Sequence, residues 1–126
     1  MPKKQLPKYR SKLEAKVAVG LKDWEYESEK MKYTIHKTYN PDFIKGKIYI
    51  EVKGFFRSGD TQKYKAINDQ MIAEDKVLAF VWSKPHQKLR KGSKLTNAGW
   101  CEKHGIKWFA QDDMISLNKW SETINV

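Results

Sequence analysis

Cysteine is almost missing from this chain: Cys101 stands alone among 126 residues, so no internal disulfide forms, which fits a reducing cytoplasm. Histidine is nearly as scarce. His36, His86 and His104 lie far apart, and with one cysteine they give no zinc site of common spacing. No apolar run approaches the roughly 18 residues a membrane span needs. The opening MPKKQLPKYRSK has no apolar core for a signal peptide. Acids are few as well, 15 Asp and Glu against 25 Lys and Arg, for a net charge of +10. That excess calls for a polyanionic partner. Nucleic acid comes first, because no long basic amphipathic helix suits an acidic membrane.

What is present is aromatic. Five Trp, six Tyr and five Phe within 40% apolar residues exclude a disordered chain, and the length suits one hydrophobic core. Residues 1–10 read as a flexible basic arm with two prolines and no acid, and 11–126 as a single domain. Leu13, Val17, Leu21 and Trp24 recur at helical spacing over 11–24, with Ser11 and Glu14 as a capping box and Gly20 as a weak point. Met31, Tyr33 and Ile35 alternate with polar residues, which predicts a strand over 26–35. Strands over 38–44 and 47–53 flank Gly46. Asp60 is placed to cap a helix carrying Tyr64, Ile67 and Met71. The run VLAFVW at 77–82 is apolar on both faces and reads as a buried central strand. A polar basic loop follows at 84–94. A short helix capped by Asn97 runs through His104 to Gly105, then come an edge strand over 106–109 and a last helical turn or two over 112–120. The order α-β-β-β-α-β-α-β describes an α/β or α+β domain built on a mixed sheet flanked by helices.

The segment NPDFIKGKIYIEVKG, residues 40–54, carries the chemistry. A two-residue turn at Gly46-Lys47, with Gly first as a type II′ turn requires, sets Lys45 opposite Ile48 and Phe43 opposite Ile50. The same register sets Asp42 opposite Glu51, where Cβ atoms lie about 4.5–5.5 Å apart. Alternation then sends Ile48, Ile50 and Val52 to one face and Tyr49, Glu51 and Lys53 to the other, an apolar side and a charged side. Opposed like charges repel unless a cation lies between them, and Mg²⁺ or Mn²⁺ suits hard carboxylate oxygens. Lys53, about 6.8 Å further along, is in reach of a phosphate oxygen. Those parts match the needs of phosphodiester hydrolysis. The plainer reading is a solvated hairpin face bearing a Glu-x-Lys pair, which is weak as a motif.

Pro41-Asp42 followed by Glu51-Val52-Lys53 resembles the PD-(D/E)xK signature of restriction-endonuclease-like nucleases. Arg10-Ser11-x-Leu13-Glu14-x-Lys16-Val17, Trp24-Glu25-Tyr26-Glu27, Thr38-Tyr39-x-Pro41-Asp42-Phe43 and Cys101-Glu102-Lys103-His104-Gly105-Ile106-Lys107 add blocks in order. Together, over about residues 10–110, they resemble the phage endonuclease I family of Holliday junction resolvases. The resemblance implies a mixed sheet flanked by helices and an endodeoxyribonuclease that cuts four-way junctions by paired nicks. It implies Glu14, Asp42, Glu51 and Lys53 as catalytic positions, with the three acids as ligands of Mg²⁺ or Mn²⁺. It also implies an intertwined homodimer in which Glu14 completes the partner's site, and a host cytoplasm as the setting. The bridge to Pro41 is shorter than the family's, and no lysine-rich tail precedes the end at Val126.

DNA contacts are expected from Lys3, Lys4, Lys8, Arg10 and Lys12 in and after the arm. Lys84, Lys88, Arg90, Lys91 and Lys94 add to them from the basic loop, with Arg57 and Lys63 beyond the motif. Glu14 has a bland role open to it as the N3 residue of a capping box. Tyr39, Phe55 and Phe56 are read as packing residues with base stacking as the alternative, His104 as a helix-end residue, and Cys101 as a small apolar one. Two other functions remain open: a nicking or restriction-like nuclease on duplex DNA, and a non-catalytic nucleic-acid-binding protein.

Overall fold

The structure, a computed structural model, describes residues 9–124, so most of the expected basic arm, including Lys3, Lys4 and Lys8, lies outside the described residues. The backbone divides into two units, Met1–Lys37 and Thr38–Val126.

The first unit holds helix α1, Lys12–Gly20. Ser11 is its N-cap: the backbone there is extended and the side-chain oxygen accepts from the Glu14 N–H at 3.1 Å. The helix stops at Gly20, short of the expected Trp24, because glycine adds nothing to hold a helical turn together. The strand expected over 26–35 is not formed. Among the described residues that segment pairs with no strand, and Met31, Tyr33 and Ile35 are exposed. Alternation makes a strand only where another backbone supplies hydrogen-bond partners. Tyr26 organises this unit instead. Its hydroxyl donates to Glu14 Oε2 at 2.8 Å and accepts from the Arg10 N–H, while its ring meets Tyr9 edge-on. The Arg10 guanidinium pairs with Glu27; the Tyr26 hydroxyl and that carboxylate raise its pKa above the ordinary value.

In the second unit, strands β1 (Phe43–Lys45), β2 (Ile48–Lys53), β3 (Val77–Trp82) and β4 (Lys107–Ala110) form one sheet in chain order. The β1–β2 pair is antiparallel, while β2–β3 and β3–β4 are parallel, so each of those needs a crossover. Helices α2 (Asp60–Ala73) and α3 (Asn97–Lys103) supply them, and α4 (Met114–Ile124) follows β4. The mixed-sheet class is as expected; the order loses one early strand and gains a full terminal helix.

Two caps differ from expectation. Gly59, at φ +87°, precedes α2, and Asp60 is its first helical residue. Thr96 caps α3 by accepting from the Gly99 N–H at 3.0 Å, which leaves Asn97 as a buried first-turn residue bonded to the Lys84 carbonyl. Their φ/ψ values, rather than residue type, decide which neighbour becomes the cap.

Both faces of the sheet are covered, which corrects the division into an apolar and a charged side. Ile48, Ile50, Ala79 and Val81 pack against Leu117, Trp120 and Ile124 of α4. The opposite face, bearing Leu78, Phe80 and Trp82, packs against Tyr64 and Met71 of α2 and Trp100 and Cys101 of α3. Phe56 joins this cluster, stacked on Tyr64 at 5.6 Å. Parallel register places Glu51 beside Phe80 and Lys53 beside Trp82, so the charged residues of β2 belong to the larger core. Cys101 is buried there, accepts a bond from the Trp82 indole at 3.3 Å, and has its thiol pushed up to about 12 by burial. It is an inert packing residue.

Candidate active site

The β1–β2 hairpin has the register its sequence predicts, with Lys45 opposite Ile48 and Phe43 opposite Ile50. Gly46 has φ +59° and Lys47 has no positive φ, the pattern of a type II′ turn. The regular ladder ends at Phe43. The Asp42 N–H donates to the Ile50 carbonyl at 3.0 Å, and Asp42 Oδ2 accepts from the Val52 N–H at 2.8 Å. The Asp42 carboxylate therefore substitutes for a main-chain carbonyl at the end of the hairpin. It remains exposed, with its other oxygen available.

Glu51 is 6% exposed, which for a carboxylate demands polar partners. It has one on each oxygen. Tyr64 of α2 donates to Oε1 at 2.8 Å, and Tyr39 donates to Oε2 at 2.6 Å. Burial first, and then the hydrogen bond to Glu51, raise both phenols well above their ordinary pKa of 10.0. Each therefore stays protonated and donating through the neutral range. Lys53 sits two residues on, with Nζ 3.6 Å from Glu51 Oε1 and 3.9 Å from Asp60 Oδ2. Asp60 is held in turn by the Arg57 N–H at 2.8 Å. The Lys53 ammonium also lies 5.2 Å from the Tyr64 ring centre. An ammonium set between two carboxylates and an aromatic face is held in direction.

The second unit thus brings Asp42, Glu51 and Lys53 to one end of β2. Glu14 belongs to the first unit, where it accepts from Tyr26. Among the described residues no three His, Cys, Asp or Glu side chains stand close enough together to hold an ion. Asp42 and Glu51 nonetheless fit Mg²⁺ or Mn²⁺ in donor type: both are hard oxygen ligands, and each oxygen has a second lone pair.

Sequence reasoning missed Tyr39, Tyr64 and Asp60. Tyr64 was legible only as part of an apolar stripe, although a buried phenol needs a hydrogen-bond partner and a buried carboxylate needs a donor. Phe55, read as a packing residue, is 60% exposed. Of the expected DNA contacts, Lys63 has its ammonium 5.2 Å from the Tyr64 ring centre, beside the site, and Arg57 lies in the segment leading into the same helix, exposed. Lys84, Lys88, Arg90, Lys91 and Lys94 are exposed on a loop closed by a Lys88–Thr96 bridge. Arg10 and Lys12 are exposed in the first unit.

Comparison with known proteins meets this site from the other direction. The family model described as Phage endonuclease I matches residues 2–125. The chain is 39% identical over 108 residues to Endonuclease I of Escherichia phage T7, covering 79% of this chain and 71% of that protein. It is 38% identical over 106 residues to Endodeoxyribonuclease 1 of Enterobacteria phage T3, covering 78% and 68%. The family model spans the chain from residue 2 to 125, hairpin included, and both relatives share more than a third of their aligned residues with it; the chain belongs to the phage endonuclease I family.

Proposed function

We propose that this protein is a metal-dependent endodeoxyribonuclease that resolves four-way DNA junctions by paired nicks, acting as a homodimer. The observation that carries the reading is Glu51 itself. A carboxylate buried at the end of a strand, gripped through both oxygens and set 3.6 Å from a lysine, has no role in packing that an apolar residue would not fill better. Membership of a family whose relatives are named endonucleases points the same way.

Asp42 and Glu51 would hold Mg²⁺ or Mn²⁺, with Glu14 as the third carboxylate. When bound, the ion supplies an activated water and positive charge against the phosphate. The residues of the chain do the positioning. Tyr39 and Tyr64 hold Glu51 in one orientation, the Val52 N–H holds Asp42, and Asp60 with Glu51 aims the Lys53 ammonium. That ammonium meets the negative charge that builds on the phosphodiester oxygens during attack. Lys63, Arg57 and the loop cations 84–94 attract the backbone.

A homodimer suits a substrate that needs two symmetric cuts. The first unit also carries more exposed apolar surface than a lone chain normally keeps: Leu13, Trp24, Met31, Tyr33 and Ile35 are all more than half exposed, Trp24 by 75%. A second copy is the partner that covers them in this reading, and Glu14 on α1 then acts in the partner's site.

Incubation with a four-way junction and with the matching linear duplex, in Mg²⁺ or in EDTA, tests the proposal. Junction cutting that needs Mg²⁺ is expected, with Glu51→Gln binding the junction but leaving it uncut. Equal cutting of the duplex would favour the nicking nuclease. Binding without any cutting would favour the non-catalytic protein.

A further inference from the structure

We infer that a basic depression between α2, α3 and the 84–94 loop is a second phosphodiester-binding subsite, which holds the backbone of a DNA arm next to the cleavage site. It rests on the nuclease reading above and extends it to residues that neither the motif nor the loop suggested: Lys65, Lys103 and His104.

The depression has a volume of about 260 Å³, and its lining contains Lys65 of α2, Arg90 of the loop, and Lys103 and His104 at the end of α3. Thr61 and Ser93 also line it, and no acidic residue does. Trp100 forms part of the wall, with its ring 4.6 Å from that of His104. Burial lowers the His104 pKa below 6.5, and the charges of Lys103 and then Lys65 lower it further, opposed only by Asp69. Lys103 and Lys65 thus act together on the His104 ring, and an anion in the depression lined by these three side chains would offset their charge.

A plainer account is that Lys103 and His104 complement the negative end of the α3 dipole. That leaves Lys65 and Arg90 unexplained, since they arrive from other elements at the same depression. The position also matters. Thr61 directly follows Asp60, whose carboxylate lies 3.9 Å from the Lys53 ammonium. Lys65 stands one turn later, about 6 Å along the helix, or about two base-pair rises. Arg90 and Leu89 also line an adjoining groove of about 520 Å³ with Lys88, Lys91 and the exposed ring of Phe55, two residues beyond Lys53. Cations and an aromatic face in continuation suit a strand of nucleic acid better than a free phosphate. α2 and α3 pack on the face of the sheet that carries Glu51 and Lys53, so the track and the catalytic residues share a side.

The test uses the full chain with Lys65→Gln and Lys103→Gln combined. The control is Lys107→Gln with Lys119→Gln, a matched loss of charge toward the α4 side. Affinity for the junction is measured in EDTA across a salt series. Losing two phosphate contacts is expected to reduce the slope of log K against log salt by about 1.8, since each contributes about 0.9. The control pair is expected to leave the slope at its wild-type value. As a second readout, the His104 imidazole is titrated by NMR with junction DNA and with inorganic phosphate at equal phosphate concentration. DNA is expected to raise its pKa and free phosphate to leave it unchanged. A wild-type slope in the double variant, an equal loss in the control, or an equal response to free phosphate would overturn the inference. Failure of the wild-type protein to cut a junction in Mg²⁺ would instead overturn the nuclease reading.

Discussion

Tyr64 joins the core and the site through one side chain. Its ring is 1% exposed against Phe56 and Phe80, and its hydroxyl serves Glu51. Tyr64→Phe removes the donor and leaves the packing. A hydrogen bond to a charged group is worth about 1.5–3 kcal/mol, and urea unfolding is expected to register a loss of that order. Groups that orient a metal ligand typically change affinity by about 10–100-fold, so calorimetric titration of the variant with Mn²⁺ is expected to give weaker binding by roughly that factor. Unchanged Mn²⁺ affinity would mean that Tyr64 only packs. The raised phenol pKa values also carry a pH dependence. Because the unfolded chain releases these protons near pH 10.0 and the folded chain holds them longer, stability is present below that pH and declines above it. The alkaline decline is expected to be shallower in Tyr64→Phe, as followed by unfolding midpoints between pH 8 and 11.

Among the elements, the β1–β2 hairpin bears most on the site, since its register sets Asp42 against β2. That register was legible in the sequence from the spacing of Phe43, Ile48 and Ile50 around a glycine, because turn chemistry and strand alternation are local. The final bond of Asp42 to the Val52 N–H was not legible, since a carboxylate that replaces a backbone carbonyl leaves no periodic trace. Gly46 at φ +59° holds the turn. Gly46→Ala forces a side chain into the left-handed region at about 1–2 kcal/mol, to be read as a lower urea midpoint, and Gly46→Asn is expected to recover part of it. The strand expected at 26–35 had the right alternation and no partner. The last helix was read as a turn or two of 112–120 and is three turns long, because its length depends on Leu117, Trp120 and Ile124 finding the α4 side of the sheet.

On the scale of the whole molecule, the proposed dimer makes a distinct prediction about which subunit's Glu14 would serve which site, and a mixed dimer tests it. Glu14→Gln and Glu51→Gln chains are co-expressed with different tags and the mixed species is purified. If Glu14 acts in the partner's site, one site of the mixed dimer has both wild-type acids, and nicking of one strand of the junction is expected. If Glu14 acts within its own chain, both sites lack an acid and the junction stays intact. Gel analysis of nicked and resolved products separates the two.

The sequence by itself determined the charge, the hairpin register, the central strand, the start of the first helix with its Ser11 cap, and the placing of Asp42, Glu51 and Lys53 at one end of the hairpin. These follow from composition and from interactions a few residues apart, whose periods are written along the chain. Tertiary structure alone decided that Glu51 is buried and gripped by Tyr39 and Tyr64, that Asp60 steadies Lys53, and that both faces of the sheet are covered. It also decided that Lys65, Arg90 and Lys103 meet around His104. Each of these joins residues from different elements, and no local pattern specifies which side chains a folded core will bring together.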